Sequence, residues 1–163
     1  MLKPAIQEAL NKQIKAELES AYIYLSMSTY LEAQNLSGMA HWMRQQWQEE
    51  IGHAMKMYKY IFERAGDVKL SEIAGPKTEW KSPLEAFEDA FAHEQKITGL
   101  ISDLVDLSIK EGDHATTSFL RWFVDEQVEE EAQTLEIVDT LKLVGEAPMG
   151  VFMLDKQLAQ RGG

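Results

Sequence analysis

Four long stretches of this chain each carry apolar residues on one helical face, and in every one of them acidic or amide side chains break that face. Along the first, the inward positions read Leu10, Ile14, Glu17, Ala21, Tyr24, Ser28 and Leu31; along the second, Met39, Met43, Gln46, Glu50, His53, Met57, Tyr60 and Arg64. The third carries Phe87, Ala90, Glu94, Ile97, Ile101, Leu104 and Ser108, and the fourth Leu120, Phe123, Gln127, Glu130, Thr134, Ile137, Leu141 and Val144. Such faces can be buried only against one another, which restricts the chain to an all-α bundle. Burial then draws Glu17, Glu50, Glu94 and Glu130 into one core. A buried carboxylate without compensation costs several kcal/mol, so the set needs a shared counter-charge. Metal cations are the obvious candidate.

A length of 163 residues with 45% hydrophobic content gives one domain, residues 1–163, with a core large enough to fold without cross-links. The absence of cysteine excludes disulfides, thiolate metal sites, Fe–S clusters and a cysteine nucleophile, leaving oxygen and imidazole as metal ligands. A formal charge of −11 argues against general binding to nucleic acid or an anionic membrane and suits a protein that attracts cations. Met1-Leu2-Lys3-Pro4 runs straight into amphipathic sequence, and no long uncharged apolar run follows. The expectation is a soluble, cytoplasmic protein without a membrane partner.

Turn chemistry predicts helices over about 4–34, 38–65, 83–111, 114–144 and 148–158. Pro4 opens the first, Asn35 and Ser37 punctuate the first turn, and Gly66 stops the second helix. Ser82-Pro83-Leu84-Glu85 combines an N-cap, a proline in the first turn and a glutamate three residues after the cap. Gly112 and Gly145 end the third and fourth helices, and Pro148 opens a short fifth. The crossover, residues 66–82, reaches about 56 Å when extended, against about 42 Å for a helix of this length. Two antiparallel hairpins joined by one crossover along the bundle follow, an arrangement the ferritin-like bundles use. Counting from each turn sets Glu17 level with Glu50 and His53, and Glu94 level with Gln127 and Glu130.

Glu50 and His53 stand three apart on one helical face, with Glu17 opposite, and offer one ion two carboxylates and an imidazole. Gln127, Glu130 and Glu94 repeat the pattern with an amide, and Glu50 is the natural bridge between two ions. Hard oxygen ligands with one imidazole suit Fe(II) and Mn(II), or Zn(II) without redox chemistry. Pairing with protein cations fails as an alternative, because Arg64, the one basic seam residue, lies about 21 Å from Glu50 along the helix. Acids kept neutral in a structural polar layer remain an alternative. Gln46 reads as a core hydrogen-bonding group. Glu49, Glu126 and Glu129 adjoin the inward acids and read either as solvated surface or as a third, weaker cation position. Tyr24 is either a packed tyrosine bonded to a carboxylate or a donor to bound oxygen species. His41, His93 and His114 fall off the inward register and are expected on the surface. Trp42, Trp47, Trp80 and Trp122 are assigned to packing and to contacts between subunits.

Glu17, Tyr24, Glu49, Glu50-Ile51-Gly52-His53, Glu94 and Asp125-Glu126-Gln127-Val128-Glu129-Glu130 resemble the prokaryotic non-haem ferritins, and the likeness runs through the fifth helix. The resemblance implies a first ferroxidase iron site from Glu17, Glu50 and His53. It implies a second from Glu94 and Glu130 with Glu50, and Gln127 hydrogen-bonding nearby. Glu49, Glu126, Glu129 and Glu130 match the family's third iron site, and Tyr24 its tyrosine beside the centre. It further implies a homo-oligomeric, hollow 24-mer cage that takes up Fe(II), oxidises it with dioxygen or hydrogen peroxide and stores a ferric oxide mineral. The fifth helix matches the element lining the family's fourfold pores.

Bacterioferritins carry a second Glu-x-x-His where this chain has Gln127-x-x-Glu130, and a haem-ligating Met where it has Ile51, so no haem is expected. Rubrerythrins would add a cysteine-bound iron domain. The DNA-protecting cages place their sites between subunits and lack the fifth helix. Aligned on animal ferritins, the acidic threefold-pore pair falls on Thr117 and Leu120, so the resemblance leaves the usual acidic iron entrance unmatched. Two other functions compete: a di-iron oxygenase or peroxidase that retains its metal, and a non-catalytic helical interaction module.

Overall fold

The computed structural model describes residues 1–162. Its helices are α1 Pro4–Ala33, α2 Ser37–Glu63, α3 Pro83–Lys110, α4 His114–Val144 and α5 Pro148–Leu158. No strand is present among the described residues. None of the helices is long and apolar enough to cross a membrane.

Hydrogen-bonded pairs fix the directions. Ser28 bonds the carbonyl of Ala40, and Leu2 the carbonyl of Arg64, so α1 and α2 are antiparallel. Ser108 meets Thr117 and Thr98 meets Glu131, which makes α3 and α4 a second antiparallel hairpin. Gln46 reaches Glu130 while Tyr60 reaches Thr116, so α2 opposes α4 and runs parallel to α3. The connection between these parallel helices follows α1 along its length. Near one end Gln7 and Asn11 accept from the backbone N–H groups of Asp67 and Lys69; near the other Ser26 donates to the carbonyl of Lys77. The fold is the bundle of two hairpins and a crossover expected from the pattern.

The ends of α1, α2 and α3 share one chemistry. In each, the residue two past the helix cap donates back across six residues: Leu36 to Leu31, Gly66 to Ile61 and Asp113 to Ser108. The residue between must adopt positive φ, and Asn35 (61°), Ala65 (55°) and Gly112 (64°) do so. The second helix therefore closes on Ala65 at Glu63, two residues before the expected end, and the connection begins at Arg64. Gly66 serves another need. A Cβ there would stand 2.7 Å from Gln7 Oε1 and 3.0 Å from Ile61 Cγ2.

At the start of α3, Ser82 Oγ accepts from Glu85 N–H at 3.1 Å, as the capping pattern requires. Asp113 caps α4 through Thr116 N–H at 3.1 Å. It also takes both Arg64 nitrogens, at 3.1 and 3.2 Å. Burial works against the Asp113 carboxylate, but Arg64 and Thr116 outweigh it and hold its pKa below the usual range. Arg64 is thus committed to the end of the bundle.

Two apolar cores result. Met27, Leu31, Met43, Trp42, Trp80, Phe87, Ile137 and Leu141 form one; Leu10, Ile14, Met57, Ile61, Ile101, Leu120 and Phe123 form the other. Against the first rests α5, which packs on α2 and α4. Its approach depends on Gly38, where a Cβ would lie 1.8 Å from the Asp155 carbonyl oxygen. Asp155 Oδ1 in turn accepts from Met39 N–H at 2.8 Å, a carboxylate from α5 satisfying an otherwise free donor of the α2 N-terminus.

An L-residue in the left-handed region costs about 1–2 kcal/mol. Ala65→Gly is therefore expected to stabilise the fold by about 1 kcal/mol, read as a higher denaturant midpoint at unchanged slope. An unchanged or lower midpoint would contradict the assignment of Ala65 as the strained terminator.

Candidate metal centre

Between the two apolar cores lies one polar layer. Glu17, Glu50, His53, Glu94, Gln127 and Glu130 are all buried, and so are Gln13 and Gln46. The layer exists because each helix carries its polar interruption at the same height, and because α2 and α4 stay far enough apart to hold long side chains between them. No Cα of α2 comes within 8 Å of one in α4.

Glu17, Glu50 and His53 converge so that one ligand atom from each lies within 4.8 Å of the others. His53 Nδ1 stands 3.2 Å from Glu50 Oε2 and 3.8 Å from Glu17 Oε2. The second distance is too long for a hydrogen bond. Glu17 Oε1 accepts from Gln13 Nε2 at 2.9 Å, whereas Glu17 Oε2 is the one buried side-chain oxygen or nitrogen without a partner among the described residues. Such an orphan is costly unless a ligand meets it.

On the other hairpin, Glu94 Oε1 accepts from Tyr24 OH at 2.5 Å and Glu94 Oε2 from Gln127 Nε2 at 3.1 Å. Gln127 also donates to the Glu94 carbonyl at 3.2 Å, so its amide nitrogen faces protein oxygens. Glu130 Oε2 accepts from Gln46 Nε2 at 2.7 Å. A second triad, His53, Glu126 and Glu130, again gathers ligand atoms within 4.8 Å. An ion central to such a triad lies about 2.8 Å or less from each atom, close to the roughly 2.0–2.6 Å that divalent ions require.

The outer acids part company. Glu126 Oε1 lies 3.8 Å from His53 Nε2. Glu49 is half exposed and binds Arg161 at 2.9 Å, and Glu129 is exposed and accepts from Gln133 at 3.0 Å. Glu126 and Glu130 are drawn together; Glu49 and Glu129 are not.

Charge explains why the layer favours cations. Burial raises the Glu50 pKa far above the usual carboxylate value, with Glu17 and Glu94 adding repulsion. Glu94 is raised by burial and by Glu17. Burial and the Glu94 charge push Glu130 up to about 8. For Glu17, burial is outweighed by the adjacent His53, and its pKa falls. Burial opposes the imidazolium of His53, yet the flanking Glu17 and Glu50 lift it to about 11. Burial and the neighbouring Glu94, Glu50 and Glu130 charges raise Tyr24 well above 10, so its phenol stays protonated and donates. His53 is the only basic side chain in this acidic layer. The donor set and the orphaned oxygen fit hard divalent or trivalent ions.

Several neighbours carry no mark in the pattern of inward residues. Gln13 lies one helical turn before Glu17, just beside the inward line. Arg161 arrives from beyond α5. His41 and His93 are half-buried rather than on the surface: His41 Nε2 donates to the Arg161 carbonyl at 2.7 Å, and His93 Nε2 pairs with Ser20 Oγ at 2.7 Å. Only His114 is exposed, as expected. Trp42 and Trp80 are buried, whereas Trp122 is 40% exposed and sets its edge against His53 at 5.4 Å between ring centres.

Ion binding must expel the protons that this layer holds at neutral pH, those on Glu130 and His53 among them. Calorimetric titration with Zn(II) in buffers of differing ionisation enthalpy should show proton release at pH 7. The apparent affinity should climb until Glu130 ionises near pH 8 and rise further as His53 loses its proton. A pH-independent affinity with no protons released would contradict this electrostatic description.

Residues 7–144 match the family model for the ferritin-like domain. A bacterial non-heme ferritin of Bacteroides fragilis is 48% identical over 99% of this chain and 100% of its own length. One from Staphylococcus saprophyticus is 40% identical over 99% and 96%. Among solved structures, an open-pore ferritin from the hyperthermophilic archaeon Archaeoglobus fulgidus superposes with a TM-score of 0.98 at 49% identity, covering 99% of both chains. A humanized archaeal ferritin gives 0.99 at 48% identity over the full length of both. Shared identity along the whole chain, a common fold and a buried acidic layer lead to one conclusion: this chain belongs to the ferritin family.

Proposed function

We propose that this protein stores iron by oxidising it: Fe(II) enters the buried layer, is converted to Fe(III) by dioxygen or hydrogen peroxide, and moves on to a ferric oxide mineral inside a 24-mer cage. The observation that carries the reading is the unpartnered Glu17 Oε2, buried beside Glu50 and His53 in a layer with too few protein cations. Glu17, Glu50 and His53 hold one Fe(II), and Glu94 and Glu130 hold a second with Glu50 between them. Gln127 and Tyr24 hydrogen-bond to Glu94 and keep its carboxylate in place.

Each Fe(II) gives up one electron. Two electrons and two protons reduce dioxygen to hydrogen peroxide, or hydrogen peroxide to two waters. Carboxylates favour the product charge, because anionic oxygen ligands bind Fe(III) more strongly than Fe(II). The same preference would trap Fe(III) unless weaker acids competed for it. Glu49, Glu126, Glu129 and Glu130 supply a third, weaker iron position that draws the oxidised ion outward; convergence of Glu126 and Glu130 beside His53 supports it, with Glu49 and Glu129 on the outer faces. Haem has no part in this reading, since Ile51 offers no ligand. The cytoplasm is its compartment.

Aerobic addition of Fe(II) to the wild-type protein should raise ferric absorbance well above the buffer rate. Glu17→Ala combined with His53→Ala should return it to that rate while the helical circular dichroism is retained. Native mass with iron content should report a large shell holding many irons per chain. A wild type no faster than buffer, or a double variant as fast as wild type, would refute ferroxidase activity. A small species retaining two irons through turnover would instead mark an oxygenase or peroxidase.

A further inference from the structure

The segment just past α5 is tied into the buried layer. Arg161 stacks its guanidinium over the Trp42 ring, 4.4 Å from the ring centre, and donates to the Trp42 carbonyl at 3.3 Å. His41 donates to the Arg161 carbonyl at 2.7 Å, fixing the backbone at the same place. One Arg161 nitrogen then makes two contacts, with Glu49 Oε2 at 2.9 Å and, closer still, with Gln46 Oε1. Gln46 is fully buried, and its Nε2 donates to Glu130 Oε2 at 2.7 Å.

Donor and acceptor types make this chain directional. Guanidinium groups only donate, and Glu130 only accepts once it has given up its proton for ligation, so an amide between them then has one permitted orientation. With Arg161 in place, Gln46 must turn its oxygen outward and its nitrogen onto Glu130. Without Arg161, Gln46 Oε1 becomes a buried acceptor with no donor. Turning the amide to relieve it withdraws the donor from Glu130.

We propose that Arg161 is a positioning residue for the second ion position: acting through Gln46, it fixes the Glu130 carboxylate for ligation. The inference rests on the ferroxidase reading of Glu130. It makes α5, seated on α2 through Gly38 and Asp155, part of the support of the metal centre as well as of the subunit surface.

Anaerobic titration of the assembled protein with Co(II), followed by its visible absorbance, tests the inference without catalysis. The wild type should bind Co(II) at two buried positions. Loss of a residue that orients a metal ligand costs about 10–100-fold in affinity, so R161A should weaken one position by at least about tenfold and the other by less than about twofold. Q46A should reproduce that loss, and R161A/Q46A together should show no more than either alone. Equal weakening of both positions, unchanged binding in R161A, or losses that multiply in the double variant would overturn the inference. Should R161A fail to assemble, Q46A decides, because it leaves Arg161 on Trp42 and Glu49; wild-type binding at both positions would then overturn the proposal. A wild type with no buried Co(II) would bring down the ferroxidase reading and this inference with it.

Discussion

Mutual repulsion among buried carboxylates is the constraint around which this molecule is arranged. Glu17, Glu50, Glu94 and Glu130 share a layer from which water is largely excluded, with His53 as its only basic side chain. The protein tolerates the arrangement by dividing the burden. Amide and phenol donors hold some oxygens, raised pKa values keep some acids neutral, and one Glu17 oxygen is left without a partner. Each of these is weaker compensation than a divalent ion between the carboxylates. A layer so poised suits cations set between its carboxylates.

The rest of the fold serves to keep that layer closed. Apolar cores above and below exclude water from both ends, and two hairpins of similar length bring four helices into register. Arg64, whose charge would otherwise be available, is bound at the bundle end by Asp113, Tyr60 and Thr116. The crossover is fastened to α1 by short polar side chains at both ends, which allows α2 and α3 to run parallel. The acid-bearing faces of both hairpins therefore meet at one height.

The bundle was legible because its signals are local. Helical period, proline at helix starts and the Ser82 cap are read within a few residues of one another. The depth of Glu17, Glu50, His53, Glu94 and Glu130 followed from counting residues from each turn. Other features depend on contacts between distant segments. Ala65 rather than Gly66 takes the left-handed conformation, because Gly66 is needed where Gln7 and Leu2 press against the turn. His41 and His93 are half-buried because the segment after α5 and Ser20 of α1 reach them. Arg161 carries no periodic mark, since it acts from beyond the last helix. Glu49 lies next to an inward acid in the chain, yet a partner more than one hundred residues away decides where its carboxylate points.

We propose that this layer receives a pair of metal ions, and crystals of the protein soaked anaerobically in Fe(II) and measured across the iron absorption edge put that to the test. Two anomalous peaks should stand between the four helices, one in contact with Glu17, Glu50 and His53 and the other with Glu94 and Glu130. An acidic layer free of anomalous scattering at saturating Fe(II), with Glu17 Oε2 satisfied by water or by a shared proton, would contradict the account.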